Sequence, residues 1–142
     1  GRAYPGRRGV NRNEFGPVKN FTAAGAIKPR RVVAFAATEG QVETAASPTA
    51  KTLIGVTGVI GAVAAGERVD VYFGDVQTVE AGAAFAQGAR LTVDAEGRVI
   101  AAAPAATVTQ QIIGTAFGVS TALGELVPVH IQPGALSNAA NS

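Results

Sequence analysis

Short apolar runs separated by glycine-containing turns recur along most of the chain. Residues 68–73 and 126–131 alternate apolar and polar side chains, which is the period-two pattern of a half-exposed strand. Residues 53–56 and 112–116 are apolar enough to form buried strands. No stretch has the spacing of a long helix, so the pattern predicts an all-β protein.

Two turns separate further β-branched runs. Glu39-Gly40 supplies the first turn, between the runs 31–35 and 41–45, and residues 94–97 supply a second between the runs 90–93 and 98–101. A glycine at the end of each turn is free to adopt the positive φ that a tight hairpin requires. Several short strands at close spacing are typical of a small barrel or sandwich.

The predicted strands fall into two similar halves. Five short motifs of the first half return in the same order in the second, displaced by 57 to 59 residues. The pairs are Ala24-Gly25-Ala26 with Ala81-Gly82-Ala83, Arg31-Val32-Val33 with Arg90-Leu91-Thr92, Glu39-Gly40-Gln41-Val42 with Glu96-Gly97-Arg98-Val99, Leu53-Ile54-Gly55 with Ile112-Ile113-Gly114, and Gly66-Glu67-Arg68-Val69-Asp70-Val71 with Gly124-Glu125-Leu126-Val127-Pro128-Val129. The shared order indicates an internal repeat. We therefore expect one β-domain over residues 24–134, a small β-barrel or sandwich built from halves at about 24–75 and 81–134.

The residues before this domain differ from it in composition. Residues 1–31 contain eight basic side chains and one acidic one, whereas the rest of the chain contains four basic and nine acidic ones. Glycine and proline punctuate the beginning of the chain, which cannot build a core. Residues 1–23 are therefore predicted to be an extended basic N-terminal arm. Residues 135–142 are predicted to be a short polar tail.

The arm carries the candidate binding residues. Aromatic side chains in an extended segment have nothing of their own to pack against, which suggests that they dock on another surface. Because the arm is basic and the body is acidic, a neighbouring subunit or another acidic protein surface is the expected partner. The predicted contact residues are Arg2, Tyr4, Arg7, Arg8, Arg12, Phe15 and Phe21. The alternative is a disordered tail that only keeps the protein in solution.

The sequence offers little for catalysis or metal binding. There is no cysteine, and the single histidine, His130, lies on a predicted strand, where a surface or interface role is expected. No serine stands in a Gly-x-Ser-x-Gly motif, and the acidic residues of the body fit a solvated strand face. We therefore expect no enzymatic activity, no metal and no cofactor.

Nucleic acid is the main alternative partner for the arm, because arginines beside aromatic side chains can contact phosphates and bases. Only the arm is basic, however, and no known nucleic-acid-binding module is visible, so direct binding to nucleic acid is not expected. The longest apolar run, residues 53–65, is shorter than the ~20 residues that span a bilayer. No association with a membrane is expected either.

In their order, the motifs of the two halves resemble the capsid cement proteins of tailed bacteriophages. The resemblance extends over about residues 26–134. It rests on the strand-and-turn motifs Leu53-Ile54-Gly55-Val56, Gly66-Glu67-Arg68-Val69-Asp70-Val71, Gly88-Ala89-Arg90-Leu91, Asp94-Ala95-Glu96-Gly97-Arg98, Ile112-Ile113-Gly114-Thr115-Ala116 and Pro133-Gly134. The resemblance implies a compact β-fold without enzymatic activity that binds the outside of a capsid and stabilises it, often around local symmetry axes.

The resemblance also sets the expected partners. They are the major capsid protein and other copies of this chain, with a trimer favoured, and the expected location is the outer surface of the virion. The residues before Ala24 extend beyond the family pattern, which makes the arm a candidate for the main contact with the capsid. The alternative is another structural component of the virion, such as a minor head or fibre-base protein.

Overall fold

The computed structural model describes residues 17–138, and this part of the chain forms ten strands and no helix. The strands are β1 (Val18–Ala23), β2 (Val32–Phe35), β3 (Gln41–Thr44), β4 (Leu53–Thr57), β5 (Arg68–Tyr72), β6 (Val76–Glu80), β7 (Arg90–Val93), β8 (Val99–Ala101), β9 (Thr109–Ala116) and β10 (Leu126–Ser137). The all-β prediction is confirmed.

The first five strands form a closed barrel in the order β1-β3-β2-β4-β5. β4 is antiparallel to β2 and to β5, and β5 is antiparallel to β1. The barrel closes where β1 and β3 run parallel, with Ala23 opposite Val42. Every second side chain of a strand points to the same face, so Phe21, Val69 and Val71 are buried together in the barrel interior.

The last five strands repeat this arrangement as a rolled sheet in the order β6-β10-β9-β7-β8. The edges of this sheet, β6 and β8, meet at a bridge between Ala81 and Val99, which corresponds to the closing contact of the barrel. Both halves also contain the same turn, because Gly40 and Gly97 have φ angles of 81° and 77°. The chain is thus built from two similar halves, as the repeated motifs predicted.

The two halves share a hydrophobic core. One cluster fills the rolled sheet with side chains such as Leu91, Ile113 and Val129, and it continues onto the outer wall of the barrel at Leu53 and Val56. The barrel interior forms a separate cluster. The barrel wall therefore covers the open side of the rolled sheet, and the halves pack as one unit.

A segment of the barrel separates the two edges of the rolled sheet. Val32 N donates to Gly97 O at 2.8 Å, and Glu80 N donates to Arg30 O at 3.0 Å. The chain around Val32 therefore lies between β6 and β8. In the barrel, the corresponding strands β1 and β3 hydrogen-bond to each other directly. This explains why β1 and β3 pair over two positions, while β6 and β8 meet at a single bridge.

Arg31 adds a charged contact to this junction. Its Nη2 lies 3.2 Å from Glu80 Oε2, and its Nη1 donates to Glu96 O at 2.8 Å. The backbone N–H of Arg31 donates to Thr57 Oγ1 at 3.0 Å. The Arg31 side chain is only 8% exposed, so its two terminal nitrogens are paired with groups of the rolled sheet rather than with solvent, while its buried Nε has no hydrogen-bond partner.

The predicted boundaries of the arm, the halves and the tail are wrong. Residues 18–23 form β1, the closing strand of the barrel, and so belong to the domain and not to an arm. β6 fills the predicted gap between the halves, which span residues 18–72 and 76–137. Residues 135–137 pair with β9 as part of β10 instead of forming a tail. Residues 1–16 and 139–142 lie outside the described residues.

Candidate functional site

Most of the predicted contact residues precede the described part of the chain. The residues outside it are Arg2, Tyr4, Arg7, Arg8, Arg12 and Phe15. Phe21 is described, and its predicted docking role is wrong: it is 9% exposed in the barrel interior. Its ring meets that of Phe35 edge-on, with centroids 5.9 Å apart. A side chain packed in this way stabilises the barrel and is not available to a partner.

The new boundary also changes the charge balance. Residues 17–138 contain eight basic and nine acidic side chains, a net charge of −1, so the body is not strongly acidic. Residues 1–16 contain four basic side chains and one acidic one. Attraction between the arm and an acidic body therefore loses most of its basis. Exposed apolar surface becomes the better guide to binding.

His130 lies on β10, and its ring packs against Phe117 with centroids 5.4 Å apart. Within residues 17–138, no group of three or more histidine, cysteine, aspartate or glutamate side chains is placed to hold a metal ion. The same residues include no helix that is long and apolar enough to cross a membrane.

One exposed apolar surface lies at the end of the barrel where β2 and β5 finish. Both strands are antiparallel to β4, so their last residues lie at the same end of the barrel. Phe35 is the last residue of β2 and is 52% exposed, and Phe73 directly follows β5 and is 41% exposed. We call this pair the aromatic end. Leaving large aromatic surface in water forgoes the hydrophobic free energy that a covering partner would supply.

The equivalent end of the rolled sheet is covered. Val93 ends β7 as Phe35 ends β2, and Ile131 takes the place of Phe73 with a matching backbone hydrogen bond. Val93 and Ile131 are 0% and 3% exposed, because they belong to the core shared with the barrel wall. The same place in the fold is therefore buried by a neighbour in one half and open in the other.

Two further apolar surfaces lie on equivalent loops. Loop 58–67 joins β4 to β5 at the barrel end opposite the aromatic end, and loop 117–125 joins β9 to β10. The first loop exposes Val59, Ile60 and Val63 at 69%, 76% and 84%. The second exposes Phe117, Val119 and Leu123 at 51%, 57% and 58%. Beside the first loop is an open, mainly apolar groove of about 530 Å³, lined by residues 26–29 and 59–63.

Both loops are held in place by the same backbone contacts. Ile27 and Ala62 exchange two hydrogen bonds of 2.8 Å, and Phe85 and Ser120 exchange two of 2.9 and 3.1 Å. These bonds tie each loop to the neighbouring connection of its own half. The apolar side chains are thus presented on preformed backbone, which lowers the entropy lost on binding.

A glutamate closes each loop. Glu67 accepts a hydrogen bond from Val63 N at 2.9 Å, and Glu125 accepts one from Thr121 N at 2.9 Å and another from the Thr121 hydroxyl. The bond from the hydroxyl, and then the bond from the backbone N–H, lower the pKa of Glu125. They do so because both bonds favour the ionised carboxylate.

We expect the hydrogen bonds from Thr121 to the Glu125 carboxylate to be lost on acidification. Because the pKa of folded Glu125 is lowered, the stabilisation is complete above the pKa of an unfolded glutamate and disappears as the pH falls through the folded value. In NMR spectra, the Thr121 amide proton should shift with that titration. Glu125→Gln should abolish the shift, whereas Glu67→Gln, the matched change in the other loop, should leave it intact. A Thr121 titration that survives Glu125→Gln would contradict this assignment.

Two similar β halves packed through one core, with apolar surfaces left open at their ends, indicate a structural protein that acts by binding other proteins. The chain belongs to the phage cement protein family, whose sequence model matches residues 13–131, most of the chain. Among solved structures, the fold is similar to the N base of head fiber gp8.5 in bacteriophage phi29, with a TM-score of 0.60 and 22% identity. That match covers 82% of this chain and 93% of the other. A search of curated proteins gave no match.

Family membership confirms the function that the resemblance predicted. The protein is a structural component of the virion that binds the outer surface of a bacteriophage capsid and stabilises it. The aromatic end and the two loops did not emerge from the sequence prediction. A signal was present for the aromatic end, because Phe35 and Phe73 stand where the second half has the smaller Val93 and Ile131.

Proposed function

We propose that the aromatic end of the barrel and residues 1–16 together form the surface that binds the capsid, with the major capsid protein as the partner. The observation that carries this proposal is the contrast between Phe35 and Phe73, which are half exposed, and their buried counterparts in the second half. A cement protein needs an apolar surface that is free in the subunit and covered on the capsid. The aromatic end has this property.

The position of residue 17 supports a continuous surface. Phe73 N donates to Pro17 O at 3.1 Å, so the described part of the chain begins at the aromatic end. In this proposal the arginines of residues 1–16 and Tyr4 add to the contact with the capsid. In this proposal the aromatic side chains supply most of the affinity, because exposed charges contribute only about 0.2–1 kcal/mol each. The arginines set orientation and association rate, and their effect weakens as salt increases.

The capsid gains strength from repetition in this arrangement. Each subunit buries a modest area, but the same contact recurs across the capsid lattice, and copies that also bind one another dissociate more slowly than single ones. Self-association, with a trimer as the expected form, is part of the proposal. So is the absence of a catalytic role, which membership of a structural family supports.

We expect the double variant Phe35→Ser, Phe73→Ser to bind capsids roughly thirty-fold more weakly, since two partly buried anchors together contribute about 2 kcal/mol. The measurement is occupancy of undecorated capsids in a sedimentation assay over a range of protein concentrations. Val76→Ser is the matched control, because Val76 is 45% exposed on the rolled sheet and lies outside the aromatic end and both loops. It should bind like the wild type. Deleting residues 1–14 should also weaken binding.

Weaker binding of the double variant supports the proposal only if the variant is folded. Far-UV circular dichroism and thermal unfolding should show that it keeps the barrel, and Phe35→Val with Phe73→Ile supplies a second variant that uses the residues of the rolled sheet. If a folded variant of either kind occupies capsids as well as the wild type, the aromatic end does not bind the capsid.

A further inference from the structure

The two equivalent loops hold most of the remaining exposed apolar surface. Of the ten large apolar side chains that are exposed within residues 17–138, six lie on loops 58–67 and 117–125. Single exposed apolar side chains are ordinary, but clusters of three on preformed loops are typical of protein–protein contacts. These loops lie at the ends of the halves away from the aromatic end, so the proposed capsid surface does not account for them.

The two loop surfaces differ in shape. Loop 58–67 borders the groove that residues 26–29 line on the other side, and Pro29 and Lys28 form part of its wall. Loop 117–125 projects the larger side chains Phe117 and Leu123. One half therefore supplies a concave apolar surface, and the other supplies bulky apolar side chains of a size that fits such a surface.

The two surfaces also differ in charge. The groove end of the barrel carries Lys28, Arg30 and Arg68, whereas the equivalent positions of the rolled sheet are Ala86, Gly88 and Leu126. Each end has one glutamate, Glu67 or Glu125, that closes its loop. The groove end is therefore net positive, whereas Arg90 at the start of β7 offsets Glu125 and leaves the end with loop 117–125 close to neutral.

We propose that loop 117–125 of one copy packs into the groove formed by residues 26–29 and 59–63 of a second copy. Contact between two grooves would bring Lys28 and Arg68 of both copies together, and contact between two 117–125 loops would bring two Glu125 carboxylates together. Pairing groove with loop avoids both repulsions and brings the Glu125 carboxylate toward the cations of the groove end. This inference rests on the self-association in the proposed function and names the surfaces that produce it.

A contact of this kind is heterologous, because the two copies use different surfaces. After the first contact, one copy retains an unused groove and the other an unused loop, so association continues until a ring closes. The closed ring leaves both surfaces covered in every copy. The aromatic end takes no part in the contact, so it remains available for the capsid.

The inference is tested with two variants of the full chain in the absence of capsids. Val59→Ser with Val63→Ser alters the groove, and Phe117→Ser with Leu123→Ser alters the loop. Sedimentation equilibrium should show a closed oligomer for the wild type and monomers for each variant, with dissociation constants raised at least ten-fold. The aromatic-end variant Phe35→Ser, Phe73→Ser is the matched control and should assemble like the wild type.

Mixing the two variants gives the sharpest result. The groove variant keeps an intact loop and the loop variant keeps an intact groove, so an equimolar mixture should form dimers and nothing larger. Assembly of either variant alone would show a contact between like surfaces and would overturn the inference. So would a mixture that stays monomeric, or a wild type that is monomeric at all concentrations.

The control measurements separate this inference from the capsid-binding proposal. All four altered side chains are more than half exposed, so folding should be preserved, and thermal unfolding of each variant checks this directly. If the wild type occupies capsids but never self-associates, the groove inference fails while the aromatic end keeps its role. If the wild type assembles but aromatic-end variants still bind capsids, the capsid-binding proposal fails while the groove inference stands.

Discussion

Arg31→Ala is expected to lower the free energy of unfolding by about 3 kcal/mol. That value lies at the lower end of the ~3–5 kcal/mol lost when one partner of a buried ion pair is removed, because the Glu80 side chain keeps 24% exposure and partial hydration. The substitution leaves the Glu80 carboxylate without its cation and Glu96 O without its donor at 2.8 Å. It also removes packing between the two halves.

The measurement is chemical unfolding followed by far-UV circular dichroism, since the chain contains no tryptophan. Lys51→Ala is the matched control, because Lys51 and Glu43 form an ion pair of 2.7 Å whose side chains are 47% and 41% exposed. That pair should contribute less than about 1 kcal/mol. If Arg31→Ala costs no more than Lys51→Ala, the buried contact between the halves does not stabilise the fold.

Most strands of this fold were predictable from the sequence, and the reason is local. Eight of the ten described strands coincide with apolar runs bounded by glycine-containing turns, and their alternation reflects which face each strand buries. β1 and β6 were missed. β1 was hidden in a stretch whose basic charges and neighbouring prolines suggested an arm, although Phe21 is an ordinary core residue there.

Extending the internal repeat toward the N-terminus would have corrected the predicted start of the domain at residue 24. Phe15-Gly16-Pro17-Val18 matches Phe73-Gly74-Asp75-Val76 at a displacement of 58 residues, within the 57 to 59 of the other motifs. The repeat therefore begins near Phe15 and includes β1 and β6. The overall composition of residues 1–31 concealed this match, because composition averages over β1 and the basic residues that precede it.

The binding surfaces were harder to predict, because exposure depends on how the halves pack. Phe35 and Val93 occupy the same place in their halves. The residues of β2 and β7 alone do not show whether the barrel wall covers Phe35 or Val93. The heterologous packing of one half on the other decides this. Only a comparison of the two halves, position by position, shows that aromatic side chains replace aliphatic ones at the end that stays open.

The packing of the two halves is tested most directly by substituting an equivalent pair of glycines. Gly97 and Gly40 occupy the same turn, with φ angles of 77° and 81°, so alanine costs about 1–2 kcal/mol at either site for backbone conformation alone. A Cβ at Gly97 would lie 2.7 Å from Thr44 Cγ2 and 3.1 Å from Val32 O of the barrel, whereas a Cβ at Gly40 would meet nothing within 4 Å.

We therefore expect Gly97→Ala to lower the free energy of unfolding by about 3 kcal/mol and Gly40→Ala by about 1 kcal/mol, both measured by chemical unfolding. The difference between them isolates the overpacking of the junction, for which about 1–3 kcal/mol is typical, because the backbone cost is shared and cancels. In Gly97→Ala the barrel wall must move away from the rolled sheet, which weakens the hydrogen bond of 2.8 Å from Val32 N to Gly97 O. Equal losses for the two variants would mean that the turn at Gly97 is as free as the turn at Gly40, and that the barrel wall does not cover the rolled sheet in solution.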